Sequence, residues 1–261
     1  MSIQSIDQLG QKIILNYPPQ RIISLVPSIT ELLYDLGLAQ QLVGRTKFCI
    51  HPSSVKSIPK IGGTKNVKID RIIALQPDII IANKEENQRE QIEELSQQCP
   101  VWISDVATFS DAMDMIEKLG QLFQKEKVTQ AIISQSRSQL AELTPTTKQK
   151  AAYLIWQKPY MTIGRDTYIH NMLGHCGFEN VFGEQTRYPI FTLSALKERQ
   201  PDIILLSSEP FPFKTKHIIE LQKDFPYTPI KLVDGEAFSW YGTRFLKTAP
   251  YLKEIAEKIT F

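Results

Sequence analysis

Cys49 and His51 are the residues whose types and spacing most directly suggest chemistry. They stand two positions apart in the segment RTKFCIHP, Arg45–Pro52, and on an extended segment such positions point to the same side. Thiolate and neutral imidazole are suitable ligands for zinc, copper or haem iron. The spacing permits His51 to bind a metal with Cys49 beside it, and local packing of His51 against Pro52 is the simpler alternative.

The sequence lacks the common signatures of an enzyme. Ile61–Lys65, IGGTK, has the glycines and lysine of a phosphate loop but not the G-x-x-x-x-G-K-[ST] spacing. No G-x-G-x-x-G follows a predicted strand, and no G-x-S-x-G nucleophile elbow is present. We therefore predict that the chain is not an enzyme and has no catalytic residues or catalytic cofactor.

Short apolar runs that could position these loops alternate with amphipathic helical stretches. Because several runs are apolar without alternation, they favour parallel strands buried on both faces. Strand–helix alternation of this kind predicts an α/β fold with mainly parallel sheets. Ser28 and Glu31 form a capping-box pattern, which predicts that Ser28 caps the first helix. The predicted strands are Ile22–Val26, Asp78–Ala82, Val101–Ile103, Ala151–Ile155, Ile203–Leu206 and Ile230–Val233.

An internal repeat organises the chain. Gln76-Pro77-Asp78 and Gln200-Pro201-Asp202 each precede an apolar run, and the two prolines lie 124 positions apart. Proline disfavours a helical conformation of the residue before it, so each triplet predicts a helix end followed by a strand. A weaker match relates the segments that end at Gly44 and Gly183. Repeats of this length indicate a duplicated lobe, not a solenoid unit.

The stretch between the repeats predicts one long helix. Residues 125–143, KEKVTQAIISQSRSQLAEL, are helical in pattern, and TPTTKQK then ends the helix. We predict two Rossmann-like lobes, residues 1–124 and 144–261, joined by this backbone helix. A helix is stiffer than a flexible Gly/Ser linker, so little movement between the lobes is expected.

Loops that follow the predicted strands are rich in aromatic and hydrogen-bonding side chains. Ligands of open parallel sheets bind outside the carboxyl ends of the strands, and binding pockets are mostly apolar with a few placed polar groups. These loops therefore predict a large, partly apolar cleft between the lobes. The aromatic residues concerned are Phe48, Tyr160, Tyr188, Phe211, Phe213, Phe238, Trp240 and Tyr241.

Four segments carry a resemblance to a known family. RIISLVPSITELLYDLGL, IPKIGGTKN, ALQPDIIIANKEENQREQIEEL and DGEAFSWYGTR resemble the class III substrate-binding proteins of ABC importers, the helical backbone metal receptors. That family includes cobalamin-, haem- and ferric-siderophore-binding proteins. The resemblance implies capture of a metal-chelate ligand in the interlobe cleft, with a corrinoid as first choice and haem or a ferric siderophore next. It also implies an ABC permease partner that acidic lobe tips contact.

The resemblance and the loop positions together select candidate site residues. Polar groups such as Ser28, Thr64 and Arg244 would contact the rim of the ligand, and aromatic side chains would cover its faces. The docking match is imperfect, because the glutamate of the family aligns near Arg89, next to Glu90. The predicted ligand-binding residues are Pro27, Ser28, Phe48, Cys49, His51, Gly63, Thr64, Lys65, Asn66, Tyr160, Tyr188, Phe238, Trp240, Tyr241 and Arg244. The predicted docking residues are Glu85, Glu86 and Glu90 in the first lobe and Glu209 or Glu236 in the second.

Composition limits the remaining possibilities. Thirty Lys and Arg against 28 Asp and Glu leave a formal charge of +2, which argues against a nucleic-acid partner. The start of the chain as written shows no secretory signal. The family implies a periplasmic or cell-envelope location, whereas Met1 as native start would imply the cytoplasm. Two alternatives therefore remain: a cytoplasmic metal- or cofactor-binding carrier with the same fold, and an enzyme that uses the cleft. A monomer is expected.

Overall fold

The structure, a computed structural model, describes residues 2–145 and 148–258 and contains two four-stranded parallel sheets. The chain forms two compact units. The first comprises residues up to Val106, Ser110–Ser136 and Tyr241–Arg244. The second comprises Ala107–Phe109, Arg137–Trp240 and the residues from Phe245 onward. The predicted α/β class with two lobes of parallel strands is confirmed.

The sheet of the first unit has the order β4-β3-β7-β8. All five residues of β7, IIIAN, are buried, as expected for a central strand covered on both faces. The strands are β1 Ser2–Ile6, β2 Lys12–Asn16, β3 Ile22–Ser24, β4 Leu42–Arg45, β5 Gly62–Gly63, β6 Asn66–Val67, β7 Ile79–Asn83 and β8 Val101–Ser104. The helices that begin before the second sheet are α1 Pro27–Asp35, α2 Ile69–Ala74, α3 Arg89–Ser96, α4 Phe109–Leu122 and α5 Glu126–Ala141.

The sheet of the second unit has the order β11-β9-β13-β14 and repeats the pattern. Its central strand β13, IILLS, is again buried along its whole length. The strands are β9 Gln149–Leu154, β10 Tyr160–Met161, β11 Phe178–Asn180, β12 Ile190–Phe191, β13 Ile203–Ser207 and β14 Ile230–Val233. The helices are α6 Tyr168–His175, α7 Leu193–Glu198, α8 Thr215–Gln222, α9 Gly235–Ser239 and α10 Arg244–Lys258.

The two Gln-Pro-Asp triplets have the same local structure. Gln76 and Gln200 follow helix ends with φ values of 46° and 47°, in the left-handed region. Each aspartate then holds the start of the neighbouring strand: the Asp78 carboxylate accepts the Arg21 N–H at 2.9 Å. The Asp202 carboxylate accepts the Lys150 N–H at 2.8 Å. Each triplet thus ends a helix and sets the register of two parallel strands.

The capping-box prediction for the first helix is wrong. The helix α1 begins at Pro27, its N-cap is Val26, and no side chain caps it. Proline suits the first helical turn because it has no N–H to satisfy, so the first helical residue is Pro27 and not Ile29, the residue after the predicted Ser28 cap. Ser28 is consequently a helical residue, and Glu31 is available for another partner.

The predicted long helix is observed as α5, Glu126–Ala141. The change from first to second unit falls inside it, between Ser136 and Arg137. The exact lobe boundaries at residues 124 and 144 remain a prediction. Among the described residues, no helix is long and apolar enough to cross a membrane.

Candidate functional site

The start of α1 is the first place where predicted site residues meet. Ser28 is buried, and Tyr241 lies beside it, with Ser104 of β8 also near the phenol. Burial raises the pKa of Tyr241, which therefore stays neutral, while the two serine hydroxyls act in the opposite direction. Gly242, with φ of 90°, lets the chain pass close to the Ser28 carbonyl. Ser28 and Tyr241 thus form one small hydroxyl-bearing cluster in the first unit.

Arg244 is held by an ion pair that the sequence analysis missed. Its Nε donates to the Glu31 carboxylate at 2.8 Å, and the Glu31 side chain is only 3% exposed. A buried carboxylate without a cation would be strongly unfavourable, so the pair accounts for both charges. Arg244 therefore has a structural role beside α1, whether or not it also contacts a ligand. The signal in the sequence was the placement of Glu31 beside Leu32 and Leu33, which are buried residues of the same helix.

An amide network holds the loop that follows β7. The Asn83 Oδ1 accepts the N–H groups of Glu85 and Glu86 at 2.8 and 3.0 Å, and its Nδ2 donates to Ser104. Asn87 joins this loop to the turn between β5 and β6, because its Nδ2 donates to the Thr64 carbonyl at 3.0 Å. The network places the backbone of Glu85 and Glu86 firmly at the end of the strand.

Lys65 strengthens the same connection, since its Nζ donates to the Glu85 carbonyl. Asn66 is exposed and Thr64 is buried. Gly62 is required in this loop, because it has φ of 116° and a Cβ there would lie 2.4 Å from the Asn66 carbonyl oxygen. Thr64 and Lys65 therefore lie beside the loop that carries two of the predicted docking glutamates.

Phe48 presents the exposed aromatic face of the first unit. Its side chain is 48% exposed, and the Lys47 ammonium lies 4.8 Å from the ring centroid. A Cβ added to Gly63 would lie 3.4 Å from the ring, so Phe48 and Gly63 are neighbours. Among the predicted aromatic contacts in this unit, Phe48 has the geometry of a surface that a flat ligand could cover.

Cys49 and His51 have different surroundings. The Cys49 thiol is fully buried, within 3.1 Å of the Thr30 hydroxyl and 3.2 Å of the Thr46 hydroxyl, and burial raises its pKa. His51 is half-buried. The described residues contain no group of three or more His, Cys, Asp or Glu side chains that could hold a metal. The Cys49 environment favours packing over ligation, and a role for His51 remains a prediction.

Trp156 leads the aromatic cluster of the second unit, and it was missing from the predicted site. It lies two residues after the end of β9, is 39% exposed, and contacts Phe211 edge-on at 5.5 Å between ring centroids. Phe211 in turn packs against Phe213 at 4.8 Å and His217 at 5.3 Å. The position of Trp156 at the carboxyl end of the first strand of this unit was the signal that could have identified it.

Tyr160 and Tyr188 keep accessible surface in the second unit. Tyr160 is half-buried, stacks on Phe191 at 5.8 Å, and accepts a hydrogen bond from Gln157. Burial raises the pKa of Tyr160. Tyr188 is 37% exposed. Both phenol rings can therefore contribute apolar area and a hydroxyl group to a ligand.

Phe238 and Trp240 are positioned as interior residues. Phe238 has no exposed surface and packs on Tyr153 at 5.5 Å. The Trp240 Nε1 donates to the Glu209 carboxylate at 2.9 Å, and the Ser239 hydroxyl donates to the same oxygen at 2.6 Å. Burial raises the pKa of Glu209. The Glu209 carboxylate is therefore engaged in hydrogen bonds with residues of its own unit. Glu236, the other predicted docking residue of this unit, lies in the first turn of α9.

Comparisons with known proteins agree on one family. The profile described as "Periplasmic binding protein" matches residues 22–227. A vitamin B12-binding protein of Vibrio campbellii is 32% identical over 198 residues, which cover 74% of this chain and 72% of that protein. An uncharacterised ABC transporter substrate-binding lipoprotein of Bacillus subtilis is 28% identical, covering 76% of this chain and 67% of its own length.

Solved structures show the same fold. The apo periplasmic haem-binding protein from Roseiflexus sp. RS-1 superposes with a TM-score of 0.80, covering 91% of this chain and 97% of that one. Its sequence identity is 18%, so this likeness concerns the fold alone.

Proposed function

This chain belongs to the periplasmic binding protein family, and from that membership we propose that it is the substrate-binding component of an ABC importer for a corrinoid. Members of this family are binding proteins, which supports ligand capture over catalysis. The observation that carries the choice of ligand is the 32% identity to a vitamin B12-binding protein. We also propose a periplasmic or cell-envelope location, in keeping with the family.

The ligand would contact exposed aromatic rings and nearby polar groups. Phe48 in the first unit and Trp156, Tyr160 and Tyr188 in the second retain accessible ring surface at the loops that follow the strands. Large rings supply much contact area at low entropic cost, and these rings are already held by neighbours such as Gly63 and Phe211. Haem and ferric siderophores present similar flat or apolar surfaces and are the comparison ligands.

Calorimetric titration with cyanocobalamin, haemin and a ferric catecholate tests the proposal. We expect saturable binding of cyanocobalamin, and weaker or no binding of the other two. At a ligand concentration near 100 times Kd, binding should stabilise the protein by about 2.7 kcal/mol, visible as a higher melting temperature. Absence of cyanocobalamin binding would exclude the corrinoid assignment, and tight binding of haemin alone would replace it.

Phe48→Ala locates the site once binding is established. Loss of a central aromatic contact typically costs more than about 1 kcal/mol, so the affinity should fall at least about fivefold. Tyr227→Ala is the matched control, because Tyr227 is 96% exposed and is not among the proposed contacts. Equal affinities for the two variants would remove Phe48 from the site without affecting the corrinoid assignment.

We further propose that the permease contacts Glu85, Glu86 and Glu90 on the first unit and Glu236 on the second. Glu90 is exposed, and the Asn83 network holds the backbone of Glu85 and Glu86. Glu236 is preferred over Glu209 because the Glu209 carboxylate accepts hydrogen bonds from Ser239 and Trp240.

Charge reversal tests the docking proposal. Glu236→Lys should lower the ability of the protein to stimulate ATP hydrolysis by its transporter in liposomes, with cyanocobalamin affinity unchanged. Glu257→Lys, on the exposed side of α10, controls for the change of overall charge. Stimulation equal to that of the control would show that Glu236 is not at the docking surface.

A further inference from the structure

The second unit contains a groove that none of the proposed ligand contacts line. A cavity of about 920 Å³ runs along the edge strand β11 and beneath α6. We call it the edge groove and define it by Lys148, Lys150, His170, Phe178, Asn180 and Arg199. Its volume is within the range of small-molecule sites, about 300–1,000 Å³. It is large enough for a ligand of its own.

The backbone of β11 presents N–H donors to this groove. The ladder with β9 uses the Gly177 carbonyl, which accepts from Gln149, and the Val181 N–H, which donates to Ala151. Since groups alternate along a strand, both the N–H and the C=O groups of Phe178 and Asn180 face away from β9, and the Asn180 carbonyl accepts the Gly183 N–H at 2.9 Å. Both residues line the cavity, so these two donors are directed to its side of the sheet.

Cationic side chains outnumber the carboxylates that line the groove. Lys148 and Lys150 are exposed, and neither ammonium group has an ion-pair or hydrogen-bond partner within the described part of the chain. Arg199 is held in place by the Val181 carbonyl and by Glu184 at 2.5 Å, with its guanidinium 4.3 Å from the Phe182 ring centroid.

Three cationic side chains thus line the groove against two carboxylates, those of Glu179 and Glu184. Because Glu184 is already paired with Arg199, the two lysines remain against the single carboxylate of Glu179, which lies opposite Lys150 in the pairing of β11 with β9. The balance favours a ligand that carries negative charge.

His170 adds a neutral donor. Its Nδ1 lies 3.3 Å from the Nδ2 of Asn180, which also donates to the Ile163 carbonyl at 2.8 Å. An Nδ1 that accepts from an amide leaves the ring proton on Nε2. Burial lowers the pKa of His170, so the ring is neutral at pH 7. Asn180 is itself buried and therefore fixes this tautomer.

We infer that the edge groove binds a small organic di- or tricarboxylate through Lys148 and Lys150, with the β11 N–H groups and His170 as further donors. Charge-assisted hydrogen bonds to carboxylate oxygens are among the strongest polar contacts in proteins. The groove supplies several such donors on one face, and among its described lining residues the Glu179 carboxylate is the one acidic side chain outside the Glu184–Arg199 pair. This site goes beyond the proposed capture of a corrinoid and does not depend on it.

Citrate titration followed by NMR of the four histidine side chains tests the inference. The signals of His51, His170, His175 and His217 can be assigned by single substitutions, because the chain has only four histidines. We expect citrate to shift the His170 signals saturably and to leave those of His51 and His217 unchanged. Lys148→Ala/Lys150→Ala should weaken the effect by about tenfold or more, equivalent to about 1.4 kcal/mol.

Lys216→Ala/Lys223→Ala is the matched control, since it removes two exposed lysines from the same unit at α8. The control should retain the citrate affinity of the parent. Equal weakening by both double variants, or equal shifts of all four histidines, would overturn the site in favour of general attraction to positive charge. No shift at millimolar citrate would also overturn it. Cyanocobalamin affinity should be the same in both double variants.

Discussion

The ion pair of Arg244 and Glu31 shows how strongly burial affects the contribution of a side chain to stability. The pair is almost fully buried, with side-chain exposures of 12% and 3%. Removing one member of a buried ion pair leaves an uncompensated charge and typically costs about 3–5 kcal/mol. We therefore expect Arg244→Met to lower the free energy of unfolding by that amount, measured by urea denaturation.

An exposed ion pair in the same unit provides the control. Lys84 and Asp105 are 2.6 Å apart, but the Lys84 side chain is 51% exposed. Solvent screens such pairs, so Lys84→Met should cost less than about 1 kcal/mol. Similar losses for Arg244→Met and Lys84→Met would show that burial does not strengthen the Glu31–Arg244 pair.

The sequence predicted which residue types form the candidate site, but it did not predict which of these side chains are exposed. Phe48 and Phe238 were both predicted to contact the ligand, yet one is 48% exposed and the other is fully buried. Cys49 lies one residue from Phe48 and is also fully buried. Local sequence does not contain the tertiary neighbours, such as Tyr153 or Thr30, that decide which side chain faces solvent.

At the scale of elements, the Gln-Pro-Asp repeats make a paired prediction. Gln76 and Gln200 are exposed residues in the left-handed region, where a side chain costs about 1–2 kcal/mol. Glycine removes that cost but makes the unfolded chain more flexible, which offsets part of the gain. Gln76→Gly and Gln200→Gly should each raise the free energy of unfolding by about 0.5–1 kcal/mol in urea denaturation.

Gln97 is the control for these two substitutions, because its backbone has an ordinary negative φ. It is an exposed C-cap residue of α3 with φ of −73°, which any residue adopts readily. Gln97→Gly should therefore destabilise the protein slightly, by about 0.5–1 kcal/mol at most. A loss of stability in Gln76→Gly or Gln200→Gly comparable to that of Gln97→Gly would argue against the left-handed assignment.

The elements themselves were the most predictable part of the molecule. Each predicted strand is present, because unbroken apolar runs such as Ile79–Ala82 are buried on both faces whatever the details of packing. The start of α1 was not predictable from the Ser28–Glu31 pattern, since Glu31 serves Arg244, which is 213 positions away in the sequence. Local motifs fail where a long-range partner uses the same side chain.

At the scale of the whole molecule, the first unit is not continuous in sequence. Tyr241–Arg244 belongs to it, although the residues on both sides of this segment belong to the second unit. Tyr241 lies beside Ser28, and Arg244 pairs with Glu31, so the short segment completes the environment of α1. A fragment of residues 1–141 retains Glu31 and all of α5 but lacks this segment.

The fragment should therefore be less stable than the same unit in the intact chain, and one substitution tests the reason. In the intact chain, Glu31→Gln leaves Arg244 without its buried partner and should cost about 3–5 kcal/mol. The fragment lacks Arg244, so Glu31→Gln there removes a buried carboxylate that has already lost this cation, and it should not destabilise the fragment. Urea midpoints from circular dichroism give both values. If Glu31→Gln costs the same in the fragment as in the intact chain, the contribution of Glu31 does not come from Tyr241–Arg244, and the first unit is complete without that segment.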